Sequence, residues 1–332
     1  MEWTAEAPFQ ALALTGGGYR GLFTARVLDV MEKEVGHPIA RRFDLVCGTS
    51  IGGIIALAAA FEVPMAKVVK VFVEHGPSIF PLYKKPSHAA AKAWDLWVHR
   101  SKPRYRTEPL RAVITKLIPE NALIGDALHP LAIPAVNVTE GKPQVFKTRH
   151  FQEWNRDWKL KAVEVALATA AAPTFFELAK ISDSLYADGG LFANAPDLVA
   201  QHEAEHFFNV PKDAFRLLSI GTTTQKYSIS HAAGREFGIL DWMSEQRLFN
   251  VIISSQQQLV DQLVAHRLGS NYLRIDQVPS NEQAQDLGLD VTTDAARSTL
   301  LALAEKSVTD ILGSKLQPYL NHQPQLQLLK DS

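Results

Sequence analysis

The stretch Val46-Cys47-Gly48-Thr49-Ser50-Ile51-Gly52-Gly53 leaves this chain few ways to fold. An apolar run enters a turn with glycine two residues either side of a serine, and small apolar residues follow. That order reads as strand, sharp turn, helix. Gly48-Thr49-Ser50-Ile51-Gly52 fits G-x-S-x-G, the elbow that lifts a serine oxygen above a sheet for attack on an acyl group. Five positions with three fixed recur by chance, so the pattern gains force only if the chain also supplies an oxyanion hole and a base.

The rest of the chain fits a sheet built around that elbow. Phe9 to Leu14 is a short apolar run that predicts a buried strand, ending in Thr15-Gly16-Gly17-Gly18-Tyr19-Arg20-Gly21. Val27, Val30, Met31 and Val35 then recur near a 3.6 period, and Gly36 with Pro38 stops that helix. Phe43 to Val46 is the strand feeding the elbow. Ile51 to Phe61 suits a helix packed tightly on a sheet, and Pro64 opens another helix through Val73. Leu131–Val138 and Val145–Arg149 read as strands joined by the turn Glu140-Gly141-Lys142-Pro143. Leu160 to Ala172 is a helix ended by Pro173. Leu185–Ala187 is a short strand before Asp188-Gly189-Gly190, and Phe215–Ile220 is another. A long helix over Trp242–His266, a strand over Tyr272–Ile275 and a helix over Asp294–Leu312 follow, and the Gln-rich tail after Pro318 reads as frayed. Strands alternating with helices imply a mainly parallel sheet covered on both faces.

Composition narrows the function classes. With 332 residues, 46% hydrophobic and 21% charged, the chain can form one large α/β domain or two smaller ones, and no repeat or linker divides it. A net charge of −1 gives no global reason to expect DNA or RNA. A single cysteine, Cys47, excludes an internal disulfide and suits a reducing cytosol. Met1 to Glu6 lacks the basic and apolar regions of a signal peptide. The longest uncharged apolar run, Ile51–Phe61, falls short of the roughly 20 residues that span a bilayer. A cytoplasmic protein is expected, one still able to work on a membrane surface. Residues 84–118 carry nine Lys or Arg against Asp95 and Glu108, and place Trp94, Trp97 and Val98 on one helical face. Such a segment is either interfacial on anionic lipid or a lid-like insertion packed on the core.

The glycine loop before the first helix admits two uses. Gly16, Gly18 and Gly21 match G-x-G-x-x-G, a dinucleotide fingerprint. That use wants an acidic residue at the end of the second strand, where this chain instead has the serine elbow. The other use is an oxyanion hole, since consecutive βα turns of a parallel sheet open on the same edge and bring Gly17, Gly18 and Ser50 together. For the base, an α/β-hydrolase would use a histidine downstream. His202, His206, His231, His266 and His322 are present, yet none sits in a recognisable strand-end turn. Asp188 does, followed by two glycines, and a partly desolvated carboxylate can take the serine proton itself; a plain Asp-Gly turn is the competing reading. His202-Glu203-Ala204-Glu205-His206 matches H-E-x-x-H, but no third ligand follows, so a solvated helix face is expected and no metal. Cys47 is expected as a small buried strand residue.

Gly16-Gly17-Gly18-Tyr19-Arg20-Gly21, Gly48-Thr49-Ser50-Ile51-Gly52 and Asp188-Gly189-Gly190, in this order, resemble the three signatures of patatin-like phospholipases. Ala171-Ala172-Pro173-Thr174-Phe175-Phe176 and Asn194-Ala195-Pro196 are similar to that family as well, so the likeness covers residues 9 to about 222. The resemblance implies a three-layer α/β/α fold with a mainly parallel central sheet, in a single catalytic domain over 1–332 with a mostly helical extension at 223–332. It implies a Ser-Asp dyad acting without histidine or cofactor: Ser50 as nucleophile, Asp188 as base, and an oxyanion hole from Gly16, Gly17 and Gly18 with Arg20 as brace. Gly21, Gly48, Gly52, Gly189 and Gly190 support these turns. Thr15 departs from the pattern, since many members carry Asp there. The implied substrate is an acyl ester of a membrane phospholipid, met at the inner face of the membrane. Bacterial enzymes of this type are switched on by a cyclic di- or trinucleotide in antiphage defence, and a homo-oligomer is compatible. An acyltransferase on the same fold, or a silent regulatory protein, are the rival readings.

Overall fold

The computed structural model describes residues 7–81, 102–151, 153–223, 226–243, 247–325 and 328. Eight strands form one sheet: β1 (Phe9–Leu14), β2 (Leu45–Gly48), β3 (Leu131–Asn137), β4 (Lys142–Lys147), β5 (Ala179–Ile181), β6 (Ser184–Asp188), β7 (Phe215–Ile220) and β8 (Tyr272–Ile275). The order is β5-β6-β3-β2-β1-β7-β8, with β4 also paired to β3. β3, β2, β1, β7 and β8 run parallel, whereas β4, β5 and β6 join by antiparallel pairing. The expected parallel sheet is therefore the central part of a mixed one.

Alternation along β1 buries both faces. Leu12 and Leu14 join Val46, Leu218 and Ile220 against the helices Gly21–Val35, Ile51–Ala60 and Asp294–Thr309. Phe9, Ala11 and Ala13, with Cys47 and Leu217, face Phe208, Val260, Val264 and Leu268 of the opposite layer. All ten residues of Ile51–Ala60 are buried, which explains their small size. Gly36 ends the first helix in the left-handed conformation (φ 72°), as its position predicts. The three layers expected from the sequence are present.

β3 does something that no single stretch of sequence announces. β4 pairs along one edge of β3, from Ala132 to Asn137. The opposite edge is shared: β2 pairs with Leu131 and Ala132, and β6 pairs with Ala135, Val136 and Asn137. β2 runs parallel to β3 and β6 antiparallel, so the two strands point at each other and their C-terminal ends meet at Ile133–Pro134. Pro134, which lacks an N–H, sits where neither strand needs one from it. Its carbonyl accepts the Thr169 hydroxyl at 2.6 Å.

Several sequence boundaries shift. β2 begins at Leu45 rather than Phe43, and β4 spans Lys142–Lys147, because the β3–β4 turn is tighter than expected and closes at Gly141 (φ 66°). The three-residue β5 was not foreseen. The helix from Pro64 runs on to Ile79. Of the long helix expected over Trp242–His266, Ile239–Met243 and Arg247–Leu268 are helical, and residues 244–246 lie outside the described ones. The tail is not frayed near Pro318: Gln317–Leu320 is helical, and His322 Nε2 lies 2.8 Å from Asp44 Oδ2 in a buried pair. The interfacial reading of residues 84–101, with Trp94, Trp97 and Val98, lies outside the described residues; Thr107–Leu117, at the far end of the basic segment, is a helix. Among the described residues no helix is long and apolar enough to cross a membrane.

Candidate active site

Ser50 occupies the bend between β2 and the Ile51–Ala60 helix with φ 56° and ψ −126°. A non-glycine residue there is strained by about 1–3 kcal/mol, and the surroundings hold it in place. The Ser50 N–H donates to Thr169 Oγ1 at 3.0 Å, the same hydroxyl that donates to Pro134. Close packing explains the flanking glycines. A Cβ on Gly48 would lie 2.2 Å from the Gly52 carbonyl oxygen, and one on Gly52 would lie 2.3 Å from that of Leu14.

Asp188 ends β6 directly opposite. Its N–H donates to the Ala171 carbonyl at 2.9 Å, and the Gly189 N–H to that of Thr169 at 3.3 Å. A side chain on Gly189 would strike the Pro134 carbonyl oxygen at 2.3 Å, so only glycine lets β6 close on the gap in β3. Asp188 is 3% exposed; its carboxylate accepts the Gly190 N–H at 2.7 Å, and the Ser50 hydroxyl lies close enough to act as a second donor. Burial pushes its pKa from 3.8 up to about 7, against the lowering effect of those two donors. A carboxylate touching the serine hydroxyl and titrating near neutrality has the properties of a general base.

The glycine loop lies against the same serine, since a Cβ on Gly16 would come within 3.1 Å of Ser50 Cβ. Gly17 and Gly18 carry the free donors: among the described residues nothing accepts from either amide. Gly18 has φ 58°, and its neighbour Tyr19 donates its N–H to the Leu289 carbonyl at 2.8 Å. Gly16 must be corrected as an oxyanion donor. Its N–H is spent on the Asn194 carbonyl at 2.9 Å, so it anchors the loop. Arg20 braces it, as expected, with Nε to the Gly17 carbonyl and Nη1 to that of Thr223, both at 3.4 Å. Gly21 is held to glycine by Ile51, whose side chain a Cβ would meet at 2.4 Å. Thr15, the departure from the family pattern, accepts Arg274 Nη1 at 3.0 Å.

Two supporting residues escaped the sequence reading. Thr169, at the end of its helix, ties the elbow to β3. Asn194 fixes Gly16 and is itself held by the Arg247–Leu268 helix: Gln256 Oε1 accepts its backbone N–H at 2.7 Å and Gln257 Oε1 its side-chain Nδ2 at 3.1 Å. The only signal for Asn194 was its place in Asn194-Ala195-Pro196.

The histidines stay apart from Ser50 in function. His322 sits with Asp44 at the start of β2, the end opposite the elbow, and is buried. His202 and His206 share one face, their rings stacked 5.1 Å apart, but Glu203 between them is buried and paired with Lys147 Nζ at 2.5 Å. That pairing takes away the general base a zinc-protease helix would need. Cys47 lies in the buried strand, where desolvation raises its thiol pKa well above normal.

The chain was compared with known proteins on this footing. Residues 12–200 match the family model described as patatin-like phospholipase. A protein of Pseudomonas aeruginosa named cGAMP-activated phospholipase is 38% identical over 318 residues, covering 95% of this chain and 92% of that one. Proteins with the same name from Escherichia coli and Vibrio cholerae are 35% and 33% identical, over 88% and 90% of this chain and 86% and 90% of theirs. With its elbow, glycine loop and Asp-Gly-Gly turn gathered at one sheet edge, the chain belongs to the patatin-like phospholipase family.

Proposed function

We propose that Ser50 and Asp188 form the catalytic dyad of this lipid-hydrolysing esterase and that its substrate is an acyl ester of a membrane phospholipid. Asp188 takes the Ser50 proton as the serine oxygen attacks the ester carbonyl. The carbonyl oxygen, now negative, lies against the Gly17 and Gly18 amides, two donors from which no described residue accepts. The C–O bond breaks, and Asp188 returns its proton to the leaving alkoxide, leaving an acyl-serine and a lysophospholipid. Water, deprotonated by Asp188, then cleaves the acyl-serine to a fatty acid and free Ser50. No step asks for a metal or cofactor. The single observation that carries this reading is the Ser50 hydroxyl set beside a buried carboxylate whose pKa burial pushes up to about 7.

Activation by cGAMP is part of the same proposal. It is supported by three relatives bearing that name, each aligned over at least 86% of its own length. A place in antiphage defence suits an enzyme under such control. The silent-protein reading loses to the intact dyad, and an acyltransferase would differ only in the acceptor of the second half-reaction. Fatty-acid release from defined phospholipids, measured with and without cGAMP, tests the assignment. The wild type should release fatty acid on cGAMP addition and react covalently with a fluorophosphonate, and Ser50→Ala should do neither. Full activity in Ser50→Ala would overturn the dyad; transfer to added alcohol in place of hydrolysis would establish the acyltransferase.

A further inference from the structure

The Arg247–Leu268 helix carries apolar side chains on two faces. Val260, Val264 and Leu268 are buried with the polar Ser254 and Gln257, while Leu248, Ile252, Leu259 and Leu263 are exposed. The spacing of these four, at steps of four, seven and four, puts them along one stripe. The Ile239–Met243 helix just before it leaves Ile239 82% and Leu240 72% exposed, together with Met243. Seven of the thirteen large apolar side chains exposed among the described residues therefore fall between Ile239 and Leu263. Scattered apolar exposure is ordinary, whereas this concentration marks an interaction surface.

The polar interior of the helix has a reason within the chain. Ser254 Oγ accepts the Tyr227 N–H at 3.1 Å, and Gln256 and Gln257 hold Asn194, which holds Gly16. The apolar exterior has none. Its position is informative: Ile253 Cδ1 would lie 3.5 Å from a Cβ on Gly190, whose N–H bonds Asp188. The exposed stripe thus borders the site at which a bilayer lipid must arrive. Charge does not oppose this position: from Arg247 to Val260 the helix has no carboxylate, and over 226–260 Lys226, Arg235 and Arg247 balance Glu236, Asp241 and Glu245.

We infer that the face formed by Ile239, Leu240, Met243, Leu248, Ile252 and Leu259 is the surface that docks this protein on a phospholipid bilayer, with the dyad at its border. The inference rests on the phospholipid reading above and names where that substrate is met. Apolar side chains enter the headgroup–acyl boundary. The helix that touches lipid is then the same one that holds the glycine loop through Asn194.

The test separates docking from chemistry. Binding is measured by sedimentation with phosphatidylglycerol and with phosphatidylcholine vesicles, with and without cGAMP, in the Ser50→Ala protein so that the vesicles stay intact. One variant carries Ile239→Ser, Leu240→Ser and Met243→Ser; a second carries Ile252→Ser and Leu259→Ser. Each should bind both kinds of vesicle at least tenfold more weakly than its parent. With Ser50 restored, both should hydrolyse a soluble p-nitrophenyl ester within twofold of wild type. Unchanged vesicle binding in both variants overturns the proposal, as does a parent that binds neither vesicle in either condition. A wild-type oligomer that the variants dissociate without losing vesicle affinity assigns the face to a second copy instead. A wild type that binds vesicles yet releases no fatty acid refutes the phospholipase reading and leaves the docking surface standing.

Discussion

Replacing Asp188 by asparagine should abolish activity and at the same time make the protein more stable at alkaline pH. The Asp188 carboxyl titrates near 3.8 in an unfolded chain and near 7 in the fold, because burial disfavours its charged form. Between those values the native state holds a proton that the unfolded state has released. Stability therefore falls as pH rises through that window, and the full penalty is present above pH 7. About three units at 1.36 kcal/mol each set the penalty at about 4 kcal/mol, an upper value that relaxation around the carboxylate will reduce. Asparagine keeps an oxygen to accept the Gly190 N–H and carries no charge to desolvate. At pH 8 the Asp188→Asn protein should exceed wild type by up to about 4 kcal/mol. With an unfolding entropy of roughly 2.1 cal/mol/K per residue, that is at most about 6 °C in Tm for a chain of this length. Near pH 4 the two proteins should melt together. Thermal melts followed by circular dichroism from pH 4 to 8 measure the gap directly. In parallel, wild-type kcat/KM for a soluble ester should rise with pH to a plateau, with its midpoint near 7. A wild type as stable as Asp188→Asn at pH 8, or a gap that ignores pH, would refute the account of this carboxylate.

Three further outcomes follow from the site. Gly18→Ala should lower kcat by about 10²–10³-fold with little change in KM, because its Cβ would sit 2.1 Å from the Leu289 carbonyl oxygen and displace an oxyanion donor; unchanged steady-state kinetics on a soluble ester would remove Gly18 from the hole. Gln257→Leu should lower kcat by about tenfold or more through Asn194, with Asn194→Ala giving a similar loss and the double variant no more than the larger single one; additive losses would mean that the two act separately. Dialysis against EDTA should leave fatty-acid release unchanged, and a loss restored by zinc would return the His202–His206 pair to consideration.

How much of this was legible depended on whether the signal was local. β1, β7 and β8 keep the limits their apolar runs predict, and the elbow, glycine loop and Asp188 were recognisable because their glycines stand at fixed short spacings along the chain. β5 is three residues long and carries no period to detect. The buried His322–Asp44 pair joins a polar tail to the start of β2, a contact that depends on where the final helices lead the chain. Gly16 looked equivalent to Gly17 and Gly18 until Asn194, far along the sequence, proved to take its N–H. The Arg247–Leu268 helix was visible as a helix, but not which of its apolar stripes turns inward: Val260, Val264 and Leu268 are buried beside the Gln257 that holds Asn194, and Leu248, Ile252, Leu259 and Leu263 are exposed.

The meeting of β2 and β6 end to end along β3 also sets when this molecule can do harm. Nucleophile and base come from strands with most of the catalytic region between them in the chain, and neither strand reaches the other except through β3. A growing polypeptide that has made the elbow has only an isolated serine, and stays harmless until β6 inserts. Such long-range pairing is slow to form and is among the last contacts a chain of this topology completes. A lipid-hydrolysing enzyme built this way cannot cut its substrate while still half-folded.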